Sequence, residues 1–196
     1  MELLKREEYA VERAVLDDAV AHEGGTLLFS DDRGAAVRIG DWHKCVFATP
    51  ADFKEYAKRY GLTEKVCVMG MPLDAPKTLG FDSVACKTFA YMEGLPPILE
   101  GITVKRLAHT LSGVVSENYD CRGHKTPVDK MERIMRDKGV FGALVDSKLA
   151  GFIGRHPDGS MGMLTVFENY KRQGIGKELE KFLINYVMTF GRVPFC

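Results

Sequence analysis

The stretch Leu164–Leu179 (LTVFENYKRQGIGKEL) constrains this chain more than any other. An apolar, strand-like run passes into a short polar turn, and Gln173-Gly174-Ile175-Gly176 opens an amphipathic helix. In that helix Ile175, Leu179, Phe182, Leu183, Tyr186, Val187 and Phe190 recur at helical spacing. Such a corner has a defined chemistry. The first N–H groups of a helix have no partner within it and point outward, and the helix dipole favours negative charge there. Gly174 and Gly176 lack a Cβ, so an anion can come close to the backbone. Lys171, Arg172 and Lys177 add cations on the same turn. Two other phosphate-binding patterns fail here. A P-loop needs Ser or Thr after Gly-Lys, and Gly176-Lys177 is followed by Glu178. A dinucleotide fingerprint needs a third small residue where Leu179 stands, inside a parallel βαβ unit.

The elements around this corner predict an α+β chain. Residues 5–22 read as a helix, stopped by Gly24-Gly25. Thr26–Ser30, Ala35–Ile39 and Trp42–Ala48 read as strands joined by tight turns. Thr49-Pro50 starts a helix that runs through Asp52–Tyr60 and ends on Gly61, and Val66–Met69 is the next strand. Glu93–Gly101 (EGLPPILEG) has no periodicity, and residues 94–101 are read as a linker between an N-terminal half, 1–93, and a second half, 102–196. In the second half Ile102–Leu107 is a strand and Leu111–Tyr119 a short helix. Thr126 is expected to cap another helix that Gly139 closes. Val140–Val145, Lys148–Gly154 and Ser160–Phe167 are strands, the long helix follows, and Val193–Cys196 opens one more strand. Each half runs strand, strand, strand, helix, strand, so an internal structural repeat is one reading.

Residues Leu164-Thr165-Val166 and Lys171-Arg172-Gln173-Gly174-Ile175-Gly176 resemble the acyl-CoA-binding segment of the GNAT superfamily of N-acetyltransferases, a Leu-x-Val strand followed by Arg/Gln-x-x-Gly-x-Gly/Ala at a helix start. The element order from Ile102 onward resembles the family as well. Gly191-Arg192-Val193-Pro194-Phe195 is similar to the strand opening of its glycine N-acyltransferase-like branch. Two positions depart from the pattern: Glu168 stands where the family usually has proline, and Lys171 replaces Arg or Gln, keeping the charge but losing the planar fork. The resemblance implies a mixed, mainly antiparallel sheet flanked by helices, preceded by a degenerate half of similar type. That first half would have no glycine cradle at Thr49-Pro50-Ala51-Asp52 and would supply one wall of the acceptor site.

The resemblance also implies a chemistry, with acetyl-CoA as cosubstrate. The backbone of Leu164, Thr165 and Val166 would pair with the pantetheine arm. The N–H groups from Arg172 to Lys177 would hold the pyrophosphate. A neutral amine of a small, amino-acid-like acceptor would attack the thioester directly, with a backbone N–H near Val166 facing the oxyanion. The family commonly places a carboxylate on the strand before the cradle, but Ser160–Thr165 carries none. Glu117 and Glu168 are the nearest candidates, and both fit better as solvated or capping carboxylates. No catalytic residue is assigned. A non-catalytic CoA-binding sensor or scaffold is the alternative.

Composition sets the remaining expectations. The 27 Lys+Arg balance the 27 Asp+Glu, which argues against a nucleic-acid or anionic-membrane partner. The five cysteines form no CxxC pair or His/Cys cluster, so no metal is expected and reduced thiols in the cytoplasm are. The five histidines, His156 in its HPDG turn included, lack ligand spacing and are read as structural or surface residues. Met161 and Met163 read as core, with an apolar acyl channel as the other possibility. No membrane span or leader is legible at the N-terminus. An oligomer is possible. The apolar ending Val-Pro-Phe-Cys is read as a truncation within a sheet.

Overall fold

The computed structural model describes residues 3–61, 66–71, 75, 88–93, 100–121 and 123–196. The chain divides into two compact units, Met1–Ala90 and Tyr91–Cys196. Both are α+β, with antiparallel-rich sheets flanked by helices, the class expected from the sequence.

In the first unit two short 3-10 turns, Leu3–Lys5 and Glu7–Tyr9, lead into α1 (Ala10–His22), so the helix starts five residues later than its pattern suggests. Strands β1 (Thr26–Ser30), β2 (Gly34–Ile39) and β3 (Trp42–Phe47) form an antiparallel meander. Helix α2 (Pro50–Tyr60) then carries the chain back so that β4 (Val66–Met69) runs parallel to β3. Alternation along the strands gives the sheet two covered faces. Ala36, Cys45 and Phe47 pack against Phe53, Tyr56 and Ala57 of α2. Val15, Leu16 and Ala19 of α1 are buried, and Ala19 closes on Val37 across Gly25, where a Cβ would stand 2.7 Å from Val37 Cγ1.

The second unit contains a sheet of order β10-β9-β8-β5, antiparallel throughout, built from β5 (Thr103–Arg106), β8 (Val140–Val145), β9 (Lys148–Arg155) and β10 (Met161–Val166). Asp146 and Ser147 both adopt positive φ, 48° and 63°, in the two-residue turn joining β8 to β9. Helices α3 (Ser112–Asn118) and α4 (Val128–Asp137) cover one face, where Val115, Met131, Ile134 and Met135 meet Val140, Phe152 and Met163. Helix α5 (Ile175–Met188) covers the other, setting Ile175, Leu179, Leu183 and Val187 on Phe141, Ala143, Ile153 and Met161. Met161 and Met163 are thus core residues on opposite faces.

Several local expectations are corrected. Thr126 does not cap α4: the N-cap position is Pro127, no side chain caps it, and the Thr126 carbonyl accepts from the Ser116 hydroxyl. A two-residue hairpin, β6 (Asp120–Cys121) with β7 (His124–Lys125), lies between α3 and α4, too short to show periodicity. Of Val193–Cys196 only Phe195 pairs with a strand; its carbonyl accepts from Met161 N at 2.7 Å. Residues 94–99, most of the expected linker, and Cys86 lie outside the described residues.

Candidate functional site

The corner after β10 is shaped by three backbone departures. First, β10 carries a bulge. Its register against β9 shifts between Gly162 and Thr165, and Met163 sits at φ 54°. The bulge turns Met163 into the α3/α4 face, while Leu164 is left 46% exposed. Second, Gly151 on β9 allows a close crossing, since any Cβ there would collide with the Thr165 carbonyl. Third, Arg172 and Gly174 both take left-handed conformations, φ 63° and 81°, around Gln173. Such a turn aims successive N–H groups into one concavity.

Helix α5 begins without a side-chain cap. Its first bond runs from Glu178 N to Gly174 O at 3.1 Å, so the N–H groups of Ile175, Gly176 and Lys177 stand outside the helical ladder. The two glycines differ. Gly174 needs its positive φ and borders open space. At Gly176 a Cβ would rest 3.5 Å from Val166 Cγ2 and 3.8 Å from Leu164 Cδ2, ordinary contacts, so packing within the chain does not demand glycine there. Lys171 Nζ is held by Glu168 Oε2 at 2.6 Å, and Gln173 Nε2 donates to Asn169 O at 3.1 Å. Arg172 and Lys177 are exposed. On the side of β10 away from β9, Phe195 meets only the Met161 end, and no described strand covers Leu164–Val166.

The equivalent corner of the first unit is closed by its own side chains. Asp52 N donates to Thr49 Oγ1 at 3.2 Å, the Thr49 hydroxyl donates to Asp52 Oδ2 at 2.6 Å, and Arg33 Nε donates to Asp52 Oδ1 at 2.7 Å. Arg33 also grips Glu55. A carboxylate therefore already occupies the helix N-terminus. Burial alone would raise the Asp52 carboxyl, but the bonds from Thr49 and Arg33 outweigh it and hold it below the usual carboxylate range.

These features decide what the second unit is similar to. Residues 111–193 match the acetyltransferase (GNAT) family. No curated protein sequence matches the chain. Among solved structures, a GCN5-related N-acetyltransferase from Kribbella flavida aligns at 12% identity over 95% of this chain and 83% of its own, with a TM-score of 0.54. A Drosophila protein aligns at 12% identity over 96% of this chain and 78% of its own, TM-score 0.51. A conserved protein of unknown function from Staphylococcus epidermidis aligns at 11% identity over 90% and 84%, TM-score 0.50. At these identities the likeness is one of fold. The family match over residues 111–193 supports an acyl-CoA-dependent N-acetyltransferase in general terms, and the solved structures support the fold.

The ten residues expected at the cradle, Leu164 to Val166 and Lys171 to Lys177, fall on one continuous edge and corner. Glu117 and Glu168 do not join each other. Glu117 is exposed on α3, and Glu168 is 83% exposed and bound to Lys171. His156, read from the sequence as structural or surface, lies in the turn between β9 and β10 with its ring against Gly162. Among the described residues no cluster of three or more His, Cys, Asp or Glu could hold a metal, and no helix is long and apolar enough to cross a membrane.

Proposed function

We propose that the second unit binds an acyl-CoA, acetyl-CoA first, and transfers its acyl group to the amine of a small, amino-acid-like acceptor. The single observation that carries this reading is the uncapped start of α5, approached through the left-handed Arg172 and Gly174 beside the Leu164–Val166 edge that no described strand covers. The donor set fits the ligand: outward N–H groups and the cations Arg172, Lys177 and Lys171 suit a pyrophosphate. Leu164, Thr165 and Val166 offer backbone groups to an amide-bearing arm in the manner of an added strand. The thioester would supply the activated acyl group. The chain's own contribution is to hold it against the bulge, where a backbone N–H can face the developing oxyanion.

The glycine N-acyltransferase-like ending, Gly191-Arg192-Val193-Pro194-Phe195, supports the acceptor class. The self-closed corner at Thr49–Asp52 supports a first unit without CoA binding. The balanced composition and the lack of any CxxC pair among the five cysteines are consistent with a cytoplasmic setting. A CoA-binding sensor remains the second reading, favoured by the lack of any titratable side chain along Ser160–Thr165. Calorimetric titration with CoA and acetyl-CoA, together with thiol release over a panel of amino acids and primary amines, tests both. Binding with turnover supports the enzyme, binding without turnover the sensor, and no binding sinks the cradle.

A further inference from the structure

We propose that His156, from the turn between β9 and β10, is the proton acceptor for the amine, its imidazole standing in the space that a side chain at Gly162 would take. This rests on the acyl-CoA reading of the β10 edge. A Cβ built on Gly162 falls inside contact distance of His156 Nε2 and only 2.7 Å from Cδ2. The imidazole therefore lies on β10 itself, although it belongs to a residue six positions earlier. Strand β10 lacks a titratable side chain in its own sequence and gains one by this fold-back.

The turn is built to hold the ring there. His156 N donates to Ser160 O at 2.8 Å and Gly159 N to His156 O at 2.9 Å. Ser160 N and its hydroxyl both reach Asp158 Oδ1, at 3.2 and 2.7 Å. The Tyr119 ring at the end of α3 meets the imidazole at a centroid distance of 6.1 Å, tilted by 44°. Among the described residues, the Tyr119 ring and, on its own turn, Asp158 are titratable groups that act on His156. Burial lowers the imidazole below its ordinary value and outweighs the pull of Asp158, so it is neutral near pH 7 and able to accept a proton. Glycine at 162 serves the same end, since a larger residue would expel the ring. Gly162 is also where the bulge begins, two residues before Leu164. A bridging water would carry the proton from an amine held at the bulge to the ring.

The protons balance. His156 Nε2 takes one proton from the ammonium form of the acceptor and frees the nitrogen lone pair. Attack forms the C–N bond and breaks the C–S bond. The remaining proton lost by the nitrogen neutralises the departing thiolate, and the imidazolium returns its proton to solvent.

The test uses His156→Gln, Gly162→Ala and the unaltered protein. CoA affinity is measured by calorimetry, and thiol release from acetyl-CoA is followed across pH with the amine panel and with water alone. The expected result is unchanged CoA affinity with turnover reduced about 10²–10⁴-fold in His156→Gln, and loss of the acid-side inflection in its pH profile. Gly162→Ala should reproduce that loss with His156 still present, and its folding is checked by its thermal transition. If both variants keep the parent rate and inflection, or if CoA binds and neither amines nor water are acylated, the assignment to His156 is overturned. Failure of the unaltered protein to bind CoA would instead overturn the reading it rests on.

Discussion

At the residue scale the two cradle glycines separate by cause. Gly174 holds φ 81°, a conformation that costs a β-branched residue on the order of 1–2 kcal/mol. Gly176 lies in α5 proper with room for a methyl group. Gly174→Val should therefore lower both the thermal transition and CoA affinity, the latter by more than tenfold. Gly176→Ala should leave the transition unchanged or raise it, because alanine is favoured over glycine in a helix by about 1 kcal/mol. Any loss of CoA affinity in Gly176→Ala then comes from the ligand's approach to the backbone. Differential scanning calorimetry beside titration calorimetry distinguishes the two, and equal destabilisation by both substitutions would contradict this division.

At the element scale, α2 and α5 show how a helix start is committed. Thr49 caps α2, and Asp31 and Asp52 tie the β1–β2 turn and α2 together through Arg33 and Tyr56. For Asp31 burial pushes the carboxyl up, but the Tyr56 hydroxyl and the Arg33 and Gly34 amides pull it further down. Glu55 is lowered chiefly by its bond from Arg33, and Tyr56 is pushed up to about 12 by its bond to Asp31. The sign follows directly. Carboxylates with lowered folded values stabilise the unit above their unfolded values near 4, and this contribution disappears as pH falls through the folded ones. Trp42, the only tryptophan, lies on β3 and reports on this unit. Its fluorescence-detected melting temperature should hold from pH 7 to about 5 and drop steeply below about 4, with a shallower drop in Asp52→Asn. Thr49→Ala should cost about 1 kcal/mol in the same assay. A melting temperature flat down to pH 3 would remove the carboxylate network as a source of stability.

The same elements show what the sequence makes legible. Thr49-Pro50 and Gly61 mark both ends of α2 because capping chemistry is local, and the helix start after Gly174 reads out for the same reason. Thr126 misleads, since its hydroxyl has the right chemistry but Pro127 holds the N-cap position and the backbone carbonyl is claimed by Ser116. The β6–β7 hairpin is too short for a periodic signal. His156 is invisible as a site residue for a different reason. Its partner positions, Gly162 and Tyr119, are set by a bulge and by an inter-element contact, neither of which leaves a spacing in the chain.

At the scale of the whole molecule, one topology appears twice. Three antiparallel strands, a helix and a return to the sheet edge make up β1-β2-β3-α2-β4 in the first unit and β8-β9-β10-α5-Phe195 in the second. The two helix starts have opposite fates. At α2 the N-terminal charge is met by Asp52, fixed by Thr49 and by a charge-assisted bond from Arg33. At α5 the carboxylate that precedes the turn, Glu168, is exposed and bound to Lys171, a contact that solvent weakens and a phosphate can replace. A net charge of zero over the chain gives no general attraction for a polyanion, so binding must come from the local site. We therefore expect one CoA per chain. The affinity should weaken several-fold between roughly 50 and 500 mM salt as the exposed cations of the turn are screened. Arg33→Ala should leave the stoichiometry at one, because Thr49 and Asp52 still occupy the α2 N-terminus. Two bound CoA molecules per chain in the unaltered protein would mean that the α2 corner opens, and that the carboxylate there is a displaceable plug rather than a permanent cap.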